Sequence, residues 1–225
     1  MKRERFLERV RNSLKAETLP SVKPPPLPET PTIEAQRLLR QFVREARAVQ
    51  AQVHVVHQKH AAIERLLQLL AEQSGREYLC WDDKWLPVAG MQNRLTAAGY
   101  ERLPREISGE PQARQKALAA LAQAGVGITG CSAALADTGS LVLESRRGQG
   151  RMASLLPPVH IALLTAAQIY PDMQSFLRAQ PQAGARSSNL VFITGPSRSA
   201  DIEQTLTVGV HGPGALHIVL IESEE

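Results

Sequence analysis

Two segments near the end of the 225-residue chain put hydroxyl, guanidinium, carboxylate and imidazole groups on glycine-rich turns: FITGPSRSADIE at 192–203 and GVHGPGALHIVLIE at 209–222. Backbone amides on glycine turns and at helix N-termini attract anions. Gly195, Pro196 and Ser197 shape the first turn and Gly212 the second. Arg198 and His211 would complete an anion-binding pocket, with Asp201 orienting one of them. The planar fork of arginine matches a carboxylate or phosphate with two parallel hydrogen bonds. An acid at 201 has a plainer use too, favouring the dipole of a helix that starts there. Spacing alone leaves both a ligand cradle and a well-capped turn open.

Three further arginines, Arg146, Arg147 and Arg151, sit in the glycine-containing loop ESRRGQGR at 144–151. Such a loop beyond a strand could clamp an anion or stay solvated; Arg151 is the more constrained, because RMASLLPP leads into the strand that carries His160. Imidazole titrates near neutrality, which makes His211 and His160 candidate bases. Glu144, at the end of a strand, is the candidate carboxylate nucleophile should the chain be a stand-alone transferase acting on thioesters.

Other motifs carry less. GVGITG at 125–130 matches G-x-G-x-x-G, but the fingerprint needs a strand before the glycines and a helix after them. Here a helical pattern precedes Gly125 and VGIT is itself strand-like. Asp137-Thr138-Gly139 resembles the loop of an aspartic protease, whose chemistry needs two carboxylates sharing one proton. One copy in an α/β pattern fits a tight turn better, with Asp137 bonding backbone amides. His54, His57 and His60 fall on a strand, at its end and in the next helix with no acidic companion, so they read as scatter rather than a metal site.

Composition narrows the function classes. The two cysteines, Cys80 and Cys131, form no metal-ligand cluster and read as buried thiols. They cannot supply the four thiolates of the usual iron–sulfur cluster. The net charge is +4, and residues 1–19 hold six basic residues against three acidic ones. The excess therefore lies on a terminal helix rather than on a folded basic face, which argues against nucleic acid. No apolar run reaches the roughly 18–20 residues of a membrane span, and the charged N-terminus is unlike a secretory signal. Cytoplasm is the expected compartment.

The elements that must position these groups follow from periodicity. Phe6, Leu7, Val10 and Leu14 predict a basic amphipathic helix over 2–17, within a segment 1–19. A proline-rich linker, 20–31, follows and leaves that helix free to dock on its own domain or on a partner. Residues 32–225 read as one α/β domain. Helices are predicted at 33–49, 59–73, 91–97, 111–123, 166–179 and 199–208. Strands are predicted at 51–57, 77–81, 126–129, 140–144, 159–164, 189–194 and 215–222. Runs such as LVFIT and LHIVLI are nearly continuous in apolar residues, which suits strands covered on both faces in a mainly parallel sheet. Helices on both sides would make a three-layer α/β/α arrangement, with ligands beyond the carboxyl ends of the strands. The candidate pocket then requires the segments around 137, 151, 198 and 211 to converge on one rim of that sheet.

Taken together, GITGCSAALADTGSLVLES, GRMASLLPPVHIALL and FITGPSRSADIEQTLTVGVHGPGALHIVLIE resemble the LUD-domain family, from about Phe42 to Glu222. The resemblance implies a fold similar to the sugar-phosphate isomerase and CoA-transferase (NagB/RpiA/CoA transferase-like) superfamily. It also implies a part in oxidising L-lactate to pyruvate beside partner proteins that carry iron–sulfur clusters, this chain having no redox cofactor itself. The family's motif positions add Thr129, Asp137, Thr138 and Gly139 to the candidate ligand-binding residues. The alternatives are a stand-alone isomerase- or transferase-like enzyme acting on an anionic small molecule, and a non-catalytic scaffold for the cluster-bearing partners.

Overall fold

The computed structural model describes residues 3–15, 34–104, 109–200, 206–209 and 211–222. Asp201 lies outside them. Contacts divide the chain into two compact units, 1–30 and 31–225. The first contains helix α1 (Arg3–Lys15), whose apolar stripe of Phe6, Leu7 and Val10 is exposed.

The second unit is built on six parallel strands. In chain order they are β1 (Gln52–Val56), β2 (Glu77–Cys80), β3 (Glu101–Arg102), β4 (Val126–Gly130), β7 (Val159–Thr165) and β12 (Ala215–Ile221). Across the sheet the order is β1-β12-β7-β4-β2-β3. VHIALLT of β7 is buried at every position and ALHIVLI of β12 at all but the first, as covering both faces of a parallel sheet requires. Side chains alternate between the faces. His54 and His217 point towards α3 (Lys59–Ala71), where Arg65 bonds His54 at 3.2 Å. Gly127, His160 and Leu216 share a register row and point to the other face, where the short helix α6 (Met152–Leu155) packs on β4. A Cβ at Gly127 would overlap the carbonyl oxygen of Ala153. That contact requires glycine.

A second, smaller sheet was not foreseen from the sequence. Its order is β8-β5-β6-β9, with β5 (Ala133–Leu135), β6 (Ser140–Ser145), β8 (Ile169–Tyr170) and β9 (Asn189–Ile193). Alternation divides its residues. Ala134, Ala136, Leu141 and Leu143 join the main core, whereas Ala133, Leu135 and Val142 form a separate cluster with Phe176 of α7 (Met173–Ala179). The run LVFIT thus lies on an edge strand of this sheet, with β9 half-buried throughout, rather than inside the parallel sheet.

The helices α2 (Ala35–Ala48), α4 (Met91–Ala97) and α5 (Pro111–Leu121) lie where periodicity places them. Two predicted helices need correction. Over 166–179 there is one 3-10 turn, Ala166–Gln168, boxed by Thr165 and Gln168; then β8; then α7, capped by the Asp172 carboxylate accepting from the Ser175 amide at 2.7 Å. Pro171 is the cause, since it cannot sit in a helix interior and biases the preceding residue towards extended backbone. Of the predicted helix 199–208 the described residues are extended instead, β10 (Arg198–Ala200) pairing antiparallel with β11 (Leu206–Val208); 201–205 lie outside the described residues. Thr207 and Val208 are β-branched and favour the extended form.

Candidate functional site

The carboxyl ends of the parallel strands open onto a hollow of about 480 Å³, within the ordinary range for small-molecule sites. Its groups come from separate segments: Lys59 opens α3 after β1, Lys84 and Trp85 follow β2, Cys131 and Ser132 follow β4, and Thr165 ends β7. The small sheet and its connections close it with Glu144, Arg146, Gln149, Gln180 and Arg186.

Glu144 is the centre of this arrangement. It is fully buried, yet it is ionised. Burial pushes its carboxyl pKa up, but the Arg186 hydrogen bonds, the Arg146 and Arg186 charges and a bond from Ser132 outweigh that and hold it below the ordinary value. Arg186 donates through Nε to Oε2 at 2.8 Å and through Nη2 to Oε1 at 2.6 Å. Arg146 donates through Nη2 to Oε2 at 2.9 Å, and its guanidinium lies 4.5 Å from the Trp85 ring centroid. Gln149 Oε1 accepts from Arg146 Nε at 2.6 Å, and Gln180 Oε1 from Arg186 Nη1 at 3.1 Å. An attacking carboxylate needs an accessible oxygen. Glu144 has both engaged and none exposed, so its role here is to anchor two guanidinium groups.

The hairpin loop carrying Arg146 is pinned in turn. The Asp82 amide donates to the Gly148 carbonyl at 2.9 Å and Trp81 Nε1 to the Gly150 carbonyl at 3.1 Å. A second hollow, about 430 Å³, shares Arg146 and includes Arg147 and Asp82 together with apolar residues such as Leu79, Leu103, Leu121 and Met152.

The glycine turns singled out in the sequence meet elsewhere. Ser197 N donates to the Pro213 carbonyl, and the Ser197 carbonyl accepts from Gly209 N, both at 2.9 Å. Gly195, Pro196, Ser197, Arg198, His211, Gly212 and His160 line a third hollow of about 280 Å³. It lies by the amino ends of β7 and β12, since His160 and Leu216 are the second residues of those strands. That is the opposite end of the sheet from the one expected. Arg198 Nη2 donates to the Val49 carbonyl at 2.9 Å, at the C-terminus of α2. A cation there complements the helix dipole, which gives the arginine a structural use.

His160 is nearly solvent-free, and its Nε2 lies 2.8 Å from the hydroxyl of the fully buried Thr129. Burial drives the imidazole down to about 3, so it stays neutral and is unsuited to act as a base near pH 7. His211 stands exposed on the rim. Arg151 is exposed and is not among the residues lining this hollow; its carbonyl accepts from Ser154 N and Oγ, both at 3.1 Å. Asp137 and Thr138 are exposed on their turn, where Asp137 Oδ1 accepts from Thr138 Oγ1 at 3.2 Å. Gly139 lies against the Ala46 backbone with φ +66°. Ser140 Oγ links Thr138 Oγ1 (2.8 Å) to Thr194 Oγ1 (2.7 Å), so the D-T-G-S and T-G-P-S turns touch without sharing a cavity. Of the four segments expected on one rim, those around 198 and 211 converge.

Two of the histidines near the start of the domain have acidic companions that were not expected: His57 Nδ1 pairs with Glu222 Oε2, and His60 Nε2 lies 3.0 Å from Glu64 Oε1 one helical turn on. No group of three or more His, Cys, Asp or Glu residues could hold a metal among the described residues. His54 Nε2 instead lies 3.2 Å from His217 Nδ1, its ring stacked at 5.5 Å. Burial, then Arg65, His217 and Arg47, lowers His54 to about 4. Among the described residues no helix is long and apolar enough to cross a membrane.

Sequence reasoning missed Lys59, Lys84, Trp85, Gln149, Gln180 and Arg186. The rule that ligands bind beyond carboxyl strand ends would have found Lys59, the first helical residue after β1. Arg186 sits in a loop with no motif.

Residues 39–221 match the family model described as the LUD domain. "Lactate utilization protein C" of Geobacillus sp. (strain WCH70) is 35% identical over 71% of this chain and 68% of its own. The protein of the same name from Halalkalibacterium halodurans is 33% identical over 73% and 72%. That from Exiguobacterium sp. is 32% identical over 97% and 95%. Among solved structures, a DUF162 family protein from Deinococcus radiodurans superposes with a TM-score of 0.58 at 21% identity, covering 84% of this chain and 99% of that one. That likeness concerns the fold.

Proposed function

This chain belongs to the LUD-domain family, and from that premise we propose that it serves lactate utilization by binding a small carboxylate or phosphate anion at the carboxyl ends of its parallel sheet. Its 32–35% sequence identity to proteins named lactate utilization protein C, over most of both chains, supports this reading. The hollow supplies the chemistry. Four cations, Lys59, Lys84, Arg146 and Arg186, face it against the single carboxylate of Glu144. The guanidinium groups are held in place before any ligand arrives, which lowers the ordering cost of binding.

Oxidising a 2-hydroxy acid requires an electron acceptor. Two cysteines cannot furnish a four-thiolate cluster, so in this reading the chain acts beside iron–sulfur proteins that take the electrons. The test is genetic and biochemical. Deleting the gene from its native cell should abolish growth on L-lactate. The intact gene should restore it, and Lys59→Gln combined with Lys84→Gln should not. The tagged protein should co-purify with iron–sulfur proteins. Normal growth of the deletion strain on lactate would refute the proposal.

A further inference from the structure

The hollow at the carboxyl ends offers hydrogen-bond donors with few free side-chain acceptors, and two of its guanidinium groups are drawn together by one carboxylate. Both Glu144 oxygens are taken by Arg146 and Arg186. The side-chain carbonyls of Gln149 and Gln180 are taken by the same two guanidinium groups. Gln168 Oε1 accepts from the Thr165 amide at 2.8 Å. What remains for a ligand is the ammonium groups of Lys59 and Lys84, the Nη1 group of Arg146, whose Nε and Nη2 are engaged, and the amide N–H groups of Gln149 and Gln180. Neither lysine has an ion-pair partner among the described residues. The four lining cations and one carboxylate leave three positive charges in surplus.

We infer that this hollow is a site for a dianionic phosphoryl group, free phosphate or a phosphomonoester, rather than for the carboxylate of lactate. The inference rests on reading the hollow as an anion site and names its ligand class. One carboxylate would offset one of the three surplus charges and leave the rest facing each other. Arg146 Nη2 and Arg186 Nε both lie within 2.9 Å of a single atom, Glu144 Oε2. Two guanidinium groups gathered so tightly suit a ligand whose charges sit on one centre. A phosphoryl group carries nearly two charges and three acceptor oxygens on one atom at neutral pH. A dicarboxylate spreads its two charges along a chain.

The test is calorimetric titration of the full-length chain, at matched ionic strength, with inorganic phosphate, glycerol phosphate, succinate, L-lactate and pyruvate. Phosphate or glycerol phosphate should bind at least tenfold more tightly than lactate or pyruvate; the tighter of the two names the source. Lys59→Gln, at a lysine with no ion pair among the described residues, should weaken that binding about tenfold with unchanged circular-dichroism melting, and Lys84→Gln, which also removes a cation lying 5.3 Å from the Trp85 ring centroid, should weaken it as much. Succinate matching phosphate would overturn the phosphoryl assignment. Tightest binding by lactate or pyruvate would overturn it while leaving the hollow an anion site. Phosphate binding indifferent to both lysine substitutions would move it out of this hollow. No binding by any anion would remove the site altogether.

Discussion

Arg186 grips the Glu144 carboxylate with two parallel hydrogen bonds, 2.8 and 2.6 Å, across 42 positions of sequence. The pair joins the loop before β9 to the middle sheet strand β6 and orients Arg146 through the same carboxylate. Its partners differ in exposure: Glu144 is fully buried, whereas the Arg186 side chain is 38% exposed.

That difference predicts unequal costs. Arg186→Gln leaves a buried carboxylate with one cation, Arg146, and the Ser132 bond, and should cost about 3–5 kcal/mol. Glu144→Gln leaves two arginines that can still reach water and should cost less, about 1–3 kcal/mol. Urea unfolding of both variants measures this. Equal costs, or the reverse order, would contradict the buried, ionised state of Glu144.

Gly127→Ala should lower stability by about 2–4 kcal/mol, because the new methyl displaces the Ala153 backbone and with it α6. Gly150→Ala, where a Cβ meets nothing within 4 Å, should change stability by less than about 0.5 kcal/mol. Thermal melts of the two variants supply the comparison.

Acid should destabilise the protein before ordinary carboxylates titrate. His160 is lowered to about 3 and His54 to about 4 by burial in the folded state, against an ordinary 6.5; His217 is lowered as well. Between 6.5 and those values the unfolded chain binds more protons, so stability falls as pH falls through that window and gains nothing above it. His160 alone contributes up to about 1.4 kcal/mol per pH unit. Urea midpoints at pH 7, 6 and 5 should decline, and less steeply in His160→Gln. A flat profile would mean that His160 is not held neutral.

Arg198→Ala separates the two ends of the sheet. It removes a hydrogen bond to the Val49 carbonyl, worth about 0.5–1.5 kcal/mol, and should leave phosphate affinity unchanged. Loss of anion binding in this variant would return the site to the glycine turns.

The sequence by itself determined the local elements and the class of fold. Continuous apolar runs at 159–164 and 215–222 announced doubly covered parallel strands, amphipathic spacing placed α2 to α5, and the motifs at 127–145, 150–164 and 192–222 marked the family. Those signals are legible because each is carried by neighbouring residues. Pro171 and the β-branched pair at 207–208 were local signals too, outweighed by a helical pattern around them.

Only the tertiary structure decided where the charged groups meet. Lys59, Lys84, Arg146 and Arg186 come from four separate connections, and it is sheet order and the folding-over of the small sheet that gather them around Glu144. Glycine-rich turns drew attention at 195–198 and 211–214 because turn chemistry is local and visible. Their hydrogen bonds fasten two turns and the end of α2 together at the amino ends of the strands. A cationic hollow leaves no such trace, since it is a sum of long-range positions and each of its members, taken singly, looks like an ordinary surface residue.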